Sequence, residues 1–400
     1  MKIFNKLSVL FVIVFLFSCE KKEKAFFYQN KNGSEFNKQL KLVETDTISF
    51  PLDKTTTFNH YSLQITKNEI DSTYYLSFFN LADKSITYYN FSDRKVSKIL
   101  LEAEGRNGVG PLTPTIAHNF IKPSKIFIYN EWKQTLFEID ENGAIKEKYK
   151  VVDPLATKDH PYPEPSTTNP FIINEGMVYF TCGLGKPQKD YTDYGMVMTY
   201  DLTTDESKFI IPLPDEYNDV YWGSQFKYMA NFTYNPIKKN FAVNYPVSPF
   251  LYEYTLEGIK LDSTYVGSKY IKSFKPMTND LNDALKTNRD WEKEKIYSLS
   301  NSDFSKVMYD AKNNLYYRVA YIRPTEEEVK AGNTLTDFSI IITDDKFQKL
   351  GEQKFSSKIY DNSMIIVTDL GLMIARPDLY RKDEDKMTFS IFNISEITDL

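Results

Sequence analysis

The sequence has 400 residues, a formal net charge of −5 and 29 residues each of Tyr and Phe. Its mildly acidic balance excludes a nucleic-acid-binding protein, because such proteins need a basic face for the phosphates. It contains only two cysteines, Cys19 and Cys182, which excludes a disulfide-rich domain. A chain of this length can form one large all-β domain or two smaller domains.

The first residues have the pattern of a bacterial lipoprotein signal. A short basic start precedes an apolar stretch at residues 7–17, and Ser18 and Cys19 follow it. The apolar stretch is about half the ~20 residues that a membrane-spanning helix needs, which favours a cleaved export segment over an uncleaved N-terminal anchor. We therefore predict a signal peptide at residues 1–18 and lipidation of Cys19 by fatty acids such as palmitate.

This signal predicts a protein of the cell envelope that is attached to a membrane through its N-terminal lipid. We expect the outer membrane, on its periplasmic or surface side. Charges of both signs follow Cys19 directly, and they leave the membrane leaflet open. Residues 19–37 are polar and charged, which predicts a tether, and residues 38–400 are predicted to form the folded domain.

Beyond the tether one unit recurs along the chain. An aromatic-rich strand ends at a polar residue, a tight turn containing Asn, Asp or Gly follows, and a second strand pairs back. Two further strands precede each such pair, so that each unit has four strands. Six units of this kind predict an all-β fold, a six-bladed β-propeller. A pair of β-sandwiches is the alternative, although sandwiches lack this period. The polar residues that mark the six units are Asn90, Asp140, Asp201, Thr255, Asp344 and Asn393.

The last unit is one strand short, because the chain ends soon after the strand at residues 387–393. A spare strand lies at the other end of the domain, at residues 45–52. We expect these two strands to pair and to close the ring, which removes exposed sheet edges. The fifth unit contains two predicted helical insertions, at residues 279–295 and at residues 323–330, where Thr325 is the expected helix cap.

Three short motifs resemble those of an uncharacterised bacterial family of six-bladed propeller lipoproteins, domain of unknown function 4221. They are the signal that ends at Cys19, the glycine-rich loop at residues 104–110, and the strand at residues 125–130 with its partner at residues 136–140. The resemblance implies a surface or periplasmic lipoprotein with a propeller fold and no established activity. It provides no catalytic residues that could be assigned to this chain.

No motif in the sequence predicts catalysis, a cofactor or a metal site. The three histidines, His60, His118 and His160, are too scattered for a spaced metal motif. The glycine-rich loops lack the order of a dinucleotide fingerprint and the Lys-Ser/Thr of a P-loop, so tight turns explain them better. Carboxylates are abundant, but glycoside chemistry needs a specific pair at a set separation.

Arginine and tryptophan are concentrated in the predicted loops of one propeller face. Arginine pairs with carboxylates and phosphates, and tryptophan anchors interfaces or stacks on sugar rings. The alternative is that these loops only hold solvated charge and that the tryptophans pack between blades. The predicted ligand-binding residues are Arg106, Asn107, Trp132, Trp222, Arg323 and Arg376.

The function expected from the sequence is a non-enzymatic binding or scaffold module that recognises a protein or glycan partner, or an anionic or sugar-like ligand, on this face. The first alternative is an envelope enzyme that acts on a carbohydrate or another anionic polymer with carboxylates in the central funnel. A second alternative is a structural component of a membrane complex, which would show an apolar patch on the outer blade edges. Fold alone does not decide among them.

Overall fold

The computed structural model describes residues 26–27, 40–57, 60–68, 72–152, 161–284 and 290–397. The predicted signal peptide at residues 1–18, the lipidation site Cys19 and most of the predicted tether lie outside these residues. No helix in the described parts of the chain is long and apolar enough to cross a membrane.

The described chain begins with two strands that belong to distant parts of the ring, and the first three blades follow. The strand β1 (Phe26–Phe27) is short, and the strand β2 (Leu40–Pro51) is long. Each of these three blades is an antiparallel sheet of four consecutive strands, to which β11 (Tyr162–Pro163) adds a fifth in the third blade. The strands of these blades, with the short β11 that pairs with the end of β13, are β3 (His60–Lys67), β4 (Tyr74–Asn80), β5 (Ser85–Asn90), β6 (Val96–Leu100), β7 (Ala117–Lys122), β8 (Lys125–Asn130), β9 (Thr135–Ile139), β10 (Ile145–Lys150), β11 (Tyr162–Pro163), β12 (Ile172–Asn174), β13 (Met177–Gly183), β14 (Gly195–Asp201) and β15 (Ser207–Pro212).

The fourth and fifth blades repeat this arrangement, and the sixth blade contains three consecutive strands and β2. The predicted six-bladed β-propeller is therefore confirmed. The remaining strands, with β20 in the connection between the fourth and fifth blades, are β16 (Asn231–Asn235), β17 (Asn240–Asn244), β18 (Phe250–Tyr254), β19 (Lys260–Tyr265), β20 (Ser273–Phe274), β21 (Asp303–Asp310), β22 (Leu315–Ile322), β23 (Asp337–Thr343), β24 (Lys349–Phe355), β25 (Ile365–Thr368), β26 (Gly371–Ala375) and β27 (Lys386–Glu396).

The position of a strand in its blade determines its composition. Both faces of a middle strand pack against neighbouring blades, so β22 is apolar and buried along most of its length. The outermost strand β10 has the sequence Ile-Lys-Glu-Lys-Tyr-Lys and is mostly exposed. Lysines on such an edge disfavour pairing with another chain. The hydrophobic core is therefore a ring of layers between blades.

The ring closes as the sequence predicts. The strand β2 pairs antiparallel with β27 over residues 40–51, and Ile48 lies opposite Phe389. A bulge between Glu44 and Asp46 interrupts the register. This pairing supplies the fourth strand of the last blade from the other end of the domain, and it is longer than the predicted pairing of residues 45–52 with residues 387–393.

Two helical insertions lie in the fifth unit as expected, and the one predicted at residues 279–295 contains the short helix α1 (Leu281–Ala284) and the start of a second helix. The Asp290 side chain accepts a hydrogen bond from the Lys293 amide and caps the start of α2 (Trp291–Ser300). This helix ends five residues after the predicted end at residue 295. Thr325 caps α3 (Glu326–Lys330) with a capping box, as predicted. The α-helices among the described residues are α1 (Leu281–Ala284), α2, α3 and α4 (Pro377–Tyr380).

A segment between the second and third blades crosses the centre of the ring. The Thr167 hydroxyl accepts a hydrogen bond from the Leu63 amide in the first blade, at 3.1 Å. The neighbouring Thr168 carbonyl accepts one from the Asn231 side chain in the fourth blade, at 3.0 Å. Since the first and fourth blades are opposite in a ring of six, residues 164–169 span the channel and provide one wall of a pocket at its mouth.

Candidate functional site

The pocket at the channel mouth has a volume of about 270 Å³. The crossing segment forms one wall, and the start of β21 and the end of β22 form another. This volume is just below the ~300 Å³ at which pockets for drug-sized ligands begin, so it suits one small ligand or one unit of a larger ligand. The residues that matter for its chemistry are Glu164, Ser166, Phe226, Asp303, Tyr321 and Arg323.

An ion cluster around Asp303 underlies the pocket. The Lys227 Nζ atom lies 2.6 Å from Asp303 Oδ2. The Arg323 guanidinium forks onto both carboxylate oxygens, because Nε and Nη2 each donate to one oxygen at 3.2 Å. Two positive side chains therefore surround one carboxylate, and the cluster has an excess of positive charge.

Burial and charge act in opposite directions on this cluster. Burial raises the pKa of Asp303, but the charges of Arg323 and Lys227 outweigh it and hold that pKa below its ordinary value. Burial lowers the pKa of Lys227 to about 8, although the charge of Asp303 opposes the shift. Asp303 is therefore ionised at neutral pH, and Arg323, the outermost member of the cluster, presents a fixed positive charge at the pocket wall.

Glu164 provides a second carboxyl group in a different state. Its Oε1 atom accepts a hydrogen bond from the Gln225 side chain at 3.0 Å. Its Oε2 atom is buried and has no hydrogen-bond partner among the residues that the structure describes. Burial, and secondarily the charge of Glu131, raises the pKa of Glu164 to about 7. The pocket therefore becomes less negative as the pH falls through neutrality.

The rim of the pocket combines an aromatic ring with hydroxyl groups. Phe226 is 66% exposed, and it lies in a 3-10 helix, Gln225–Lys227, that the Ser224 hydroxyl caps. Ser166 and Thr168 belong to the crossing segment. An exposed ring beside hydroxyl groups is suited to a ligand that has both an apolar face and polar edges.

Of the six predicted ligand-binding residues, only Arg323 lines this pocket. Arg376 lies in the sixth blade, where its guanidinium forks onto Asp378 at 2.8 and 2.9 Å. Its Nη1 atom also donates to Ser390 and to Glu44, which lies on the outermost strand. These contacts place Arg376 away from the pocket and leave most of its donors occupied.

Trp222 lies in the connection between the third and fourth blades, but its side chain is buried in the core, which corrects the expectation that it is open to a ligand. Its side chain is 0% exposed, its indole Nε1 donates to the Glu216 carbonyl at 3.2 Å, and its ring packs against Tyr217. Its backbone amide donates to the Tyr228 hydroxyl. The aromatic cluster that encloses Trp222 stabilises the interface between blades, so its indole is not available to a surface ligand.

The remaining predicted residues lie in two loops of the second blade, the connection that leads into it and the turn between β8 and β9. Asn107 accepts a hydrogen bond from the amide of Ile145 at the start of the outer strand β10, at 3.4 Å. Arg106 is exposed, and Trp132 is 67% exposed. The structure therefore does not bring the six residues into one pocket. A ligand-binding role for Arg106, Asn107 and Trp132 stays a prediction.

Sequence reasoning missed Glu164 and Asp303. Glu164 lies between two prolines in an irregular segment, and its partner Gln225 is distant in the sequence. Asp303 begins a strand and meets Lys227 from the connection between the third and fourth blades. Neither carries a local motif. In the described residues, no group of three His, Cys, Asp or Glu side chains is arranged to hold a metal ion.

The sequence pattern of the domain of unknown function DUF4221 matches residues 39–354, which is most of the chain. The chain belongs to the DUF4221 family. A DUF4221 member from Bacteroides vulgatus has a similar solved structure, with a TM-score of 0.74 and 23% sequence identity over 90% of this chain and 99% of that one. This agreement confirms the family and the fold that the sequence motifs suggested.

A more distant solved structure shares the fold. It is a protein from Bacteroides fragilis that carries the name of an exported protein, with a TM-score of 0.51 and 9% identity over 91% of this chain and 98% of that one. No curated protein matches the chain. The DUF4221 chain is thus a six-bladed propeller of a family whose function is unknown.

Proposed function

We propose that this propeller is a binding module, anchored in the cell envelope by lipid on Cys19, and that the pocket at the channel mouth binds an anionic or sugar-like ligand. The observation that carries the proposal is the excess of positive charge at the pocket wall, where Lys227 and Arg323 share one carboxylate. The lipid anchor is supported by the basic, apolar and cysteine pattern of residues 1–19.

Arg323 is the residue that would contact an anion. Its Nε and Nη2 atoms are occupied by Asp303, and its Nη1 atom has no hydrogen bond to any residue that the structure describes. A guanidinium that is held at one edge loses little freedom when it binds a second acceptor, which favours a carboxylate or a phosphate at its open edge.

The rest of the pocket favours a polyhydroxylated ligand. Ser166 and Thr168 offer hydroxyl groups, and Phe226 offers an exposed ring at the rim. A sugar has polar edges that can bond to the hydroxyl groups and an apolar face that can stack on the ring. An acidic sugar unit therefore matches Arg323, the hydroxyl groups and Phe226, and Glu164 opposes it only when ionised. The polymer or the protein carrier of such a sugar would be the natural partner.

Calorimetry against matched acidic and neutral monosaccharides, such as glucuronate and glucose, tests the proposal. We expect Arg323→Gln to remove the preference for the acidic sugar, and Phe226→Ala to weaken both by roughly 2 kcal/mol, the size of a central contact. Arg106→Gln is the matched control, because Arg106 is an exposed arginine outside the pocket. Binding that depends on Arg106 and not on Arg323 would contradict the assignment of the pocket.

One observation favours the enzyme alternative. Glu164 and Asp303 line the same pocket, and their surroundings move their pKa values in opposite directions, as in a general acid paired with an ionised carboxylate. Both oxygens of Asp303 are occupied by its cationic partners, however, which suits a structural ion pair better. Hydrolysis of a glycan that Glu164→Gln abolishes without loss of binding would establish the enzyme.

A further inference from the structure

The short strand β1 ties the N-terminal segment to one place on the propeller. Phe26 pairs with Phe274 and Phe27 with Ser273, in antiparallel register. The next strand of the chain, β2, belongs to the sixth blade, whereas β20 lies between the fourth and fifth blades. The N-terminal segment is therefore attached to the ring at a point separate from the strand that closes it.

This attachment determines how far the body of the protein can move from a lipid on Cys19. Six residues lie between Cys19 and Phe26, so the seven residue steps of a fully extended chain span about 24 Å. From Cys19 to Leu40 the same chain would span about 71 Å. A compact domain of this size is about 53 Å across. Without β1 either face could reach the membrane, but with β1 paired only the side that carries β20 can.

The side that carries β20 also carries the pocket. The rings of Phe274 and Phe304 are 5.8 Å apart, and Phe304 lines the pocket at the channel mouth. The strand β20 follows the fourth blade and precedes β21, so it lies at the end of the blades where their first strands begin. A membrane that approaches β20 therefore approaches the same face as the pocket.

The segment that contains β20 is basic, although Asp290, Glu292 and Glu326 line the same cavity as Lys275 at its far end. Lys269, Lys272 and Lys275 are exposed on the segment that contains this strand, and Tyr270 among them is 37% exposed. The nearby carboxylate of Glu352 is already held by Lys349 at 2.6 Å. Clustered lysines next to a lipid anchor attract anionic headgroups, and tyrosine is suited to the interface between headgroups and water.

We propose that the anchored propeller lies on its own membrane with the β20 face, defined by residues 269–275, against anionic phospholipid headgroups. This orientation rests on the proposed lipidation of Cys19. The pocket then opens toward the membrane to which the protein is anchored, and its ligand is reached from the membrane side.

Two reporter cysteines on the fourth blade and its connection test the orientation. Lys272→Cys places a fluorophore on the β20 face, and Ile237→Cys places it in the turn between the first two strands, at the other end of the blade. Cys182 is buried and would stay unlabelled. The full lipidated chain is reconstituted in vesicles of phosphatidylethanolamine and phosphatidylglycerol that contain a headgroup quencher. We expect quenching at position 272 and none at position 237, and equal quenching would overturn the proposal.

Two changes separate the causes of the orientation. Phe27→Pro removes a backbone donor from β1 and should abolish the difference between the reporters while the lipid stays attached. Lys269→Glu with Lys275→Glu should reduce quenching at position 272, whereas Lys95→Glu, an exposed lysine of the first blade, should not. No effect of the first change would refute the attachment, and no effect of the second would refute the headgroup contact.

Mass measurement of the purified chain keeps this proposal distinct from the proposed function. A chain without acyl groups on Cys19 would refute the lipid anchor itself. An acylated chain whose two reporters are quenched equally would refute only the orientation.

Discussion

Replacing Glu164 by Gln should stabilise the protein above pH 7 and change it little at pH 5. Burial raises the pKa of Glu164 to about 7 from an ordinary value of 4.5. A carboxyl group whose pKa is raised by folding contributes stability that is fully present below the unfolded pKa and is lost as the pH rises through the folded pKa. The wild-type chain should therefore lose stability between about pH 4.5 and pH 7, and the variant should not.

The magnitude follows from the shift. Each unit of pKa shift corresponds to about 1.4 kcal/mol. Ionisation of Glu164 therefore lowers the free energy of unfolding by about 3 kcal/mol at pH 8 and by less than about 1 kcal/mol at pH 5. Because Glu164 is half-buried and solvent screens part of this effect, the expected difference between the two pH values is about 2 kcal/mol. The glutamine should keep the Gln225 contact, since its carbonyl oxygen can accept the same hydrogen bond.

Urea unfolding at pH 5 and pH 8 measures this difference directly, with Glu141→Gln as the control because Glu141 is exposed in a turn. If the Glu164→Gln curve runs parallel to the wild-type curve at both pH values, then the carboxyl group is ionised without cost and the reasoning about its burial is wrong. Protonation of Glu164 should also strengthen binding of an anionic ligand as the pH falls from 8 to 6. Glu164→Gln should remove that pH dependence.

Three further predictions test the fold and the anchor. Arg318 is buried, and its guanidinium donates to the Asn244 side chain and to three backbone carbonyls. Arg318→Met should therefore lower the free energy of unfolding by about 3 kcal/mol. The exposed Arg106→Met should not change it in the same urea titration. Deletion of residues 26–51 should open the ring and expose the edge of β27, and light scattering should detect aggregation; a monomer with an unchanged melting temperature would contradict closure by β2. Cys19→Ala should abolish incorporation of labelled palmitate and release the protein from membranes; retained label would contradict the lipoprotein signal.

The fold was predictable from the sequence because its signals are local. Each blade contains an aromatic strand, a polar turn and a returning strand, and the strand that the last unit lacks is matched by the spare strand predicted at residues 45–52. The start of α2 was not predictable in this way. Apolar residues at 281, 285 and 291 suggest one helical face, but Trp291 is 70% exposed and Asp290 caps the helix. A capping side chain determined the boundary, and the apolar spacing did not.

The candidate site was predictable only in part, because its charges are matched across blades that are distant in the sequence. For Arg376 a local signal was available: Asp378, two residues later, already forks onto its guanidinium, so the Arg-Pro-Asp triplet indicates an occupied arginine. Arg323 has no such neighbour. Its partner Asp303 comes from the adjacent strand, and Lys227 joins them from the connection between the third and fourth blades. An arginine in a propeller loop is therefore a sound candidate for ligand binding when the carboxylate that orients it is shared with a second cation, because only then does positive charge remain for the ligand.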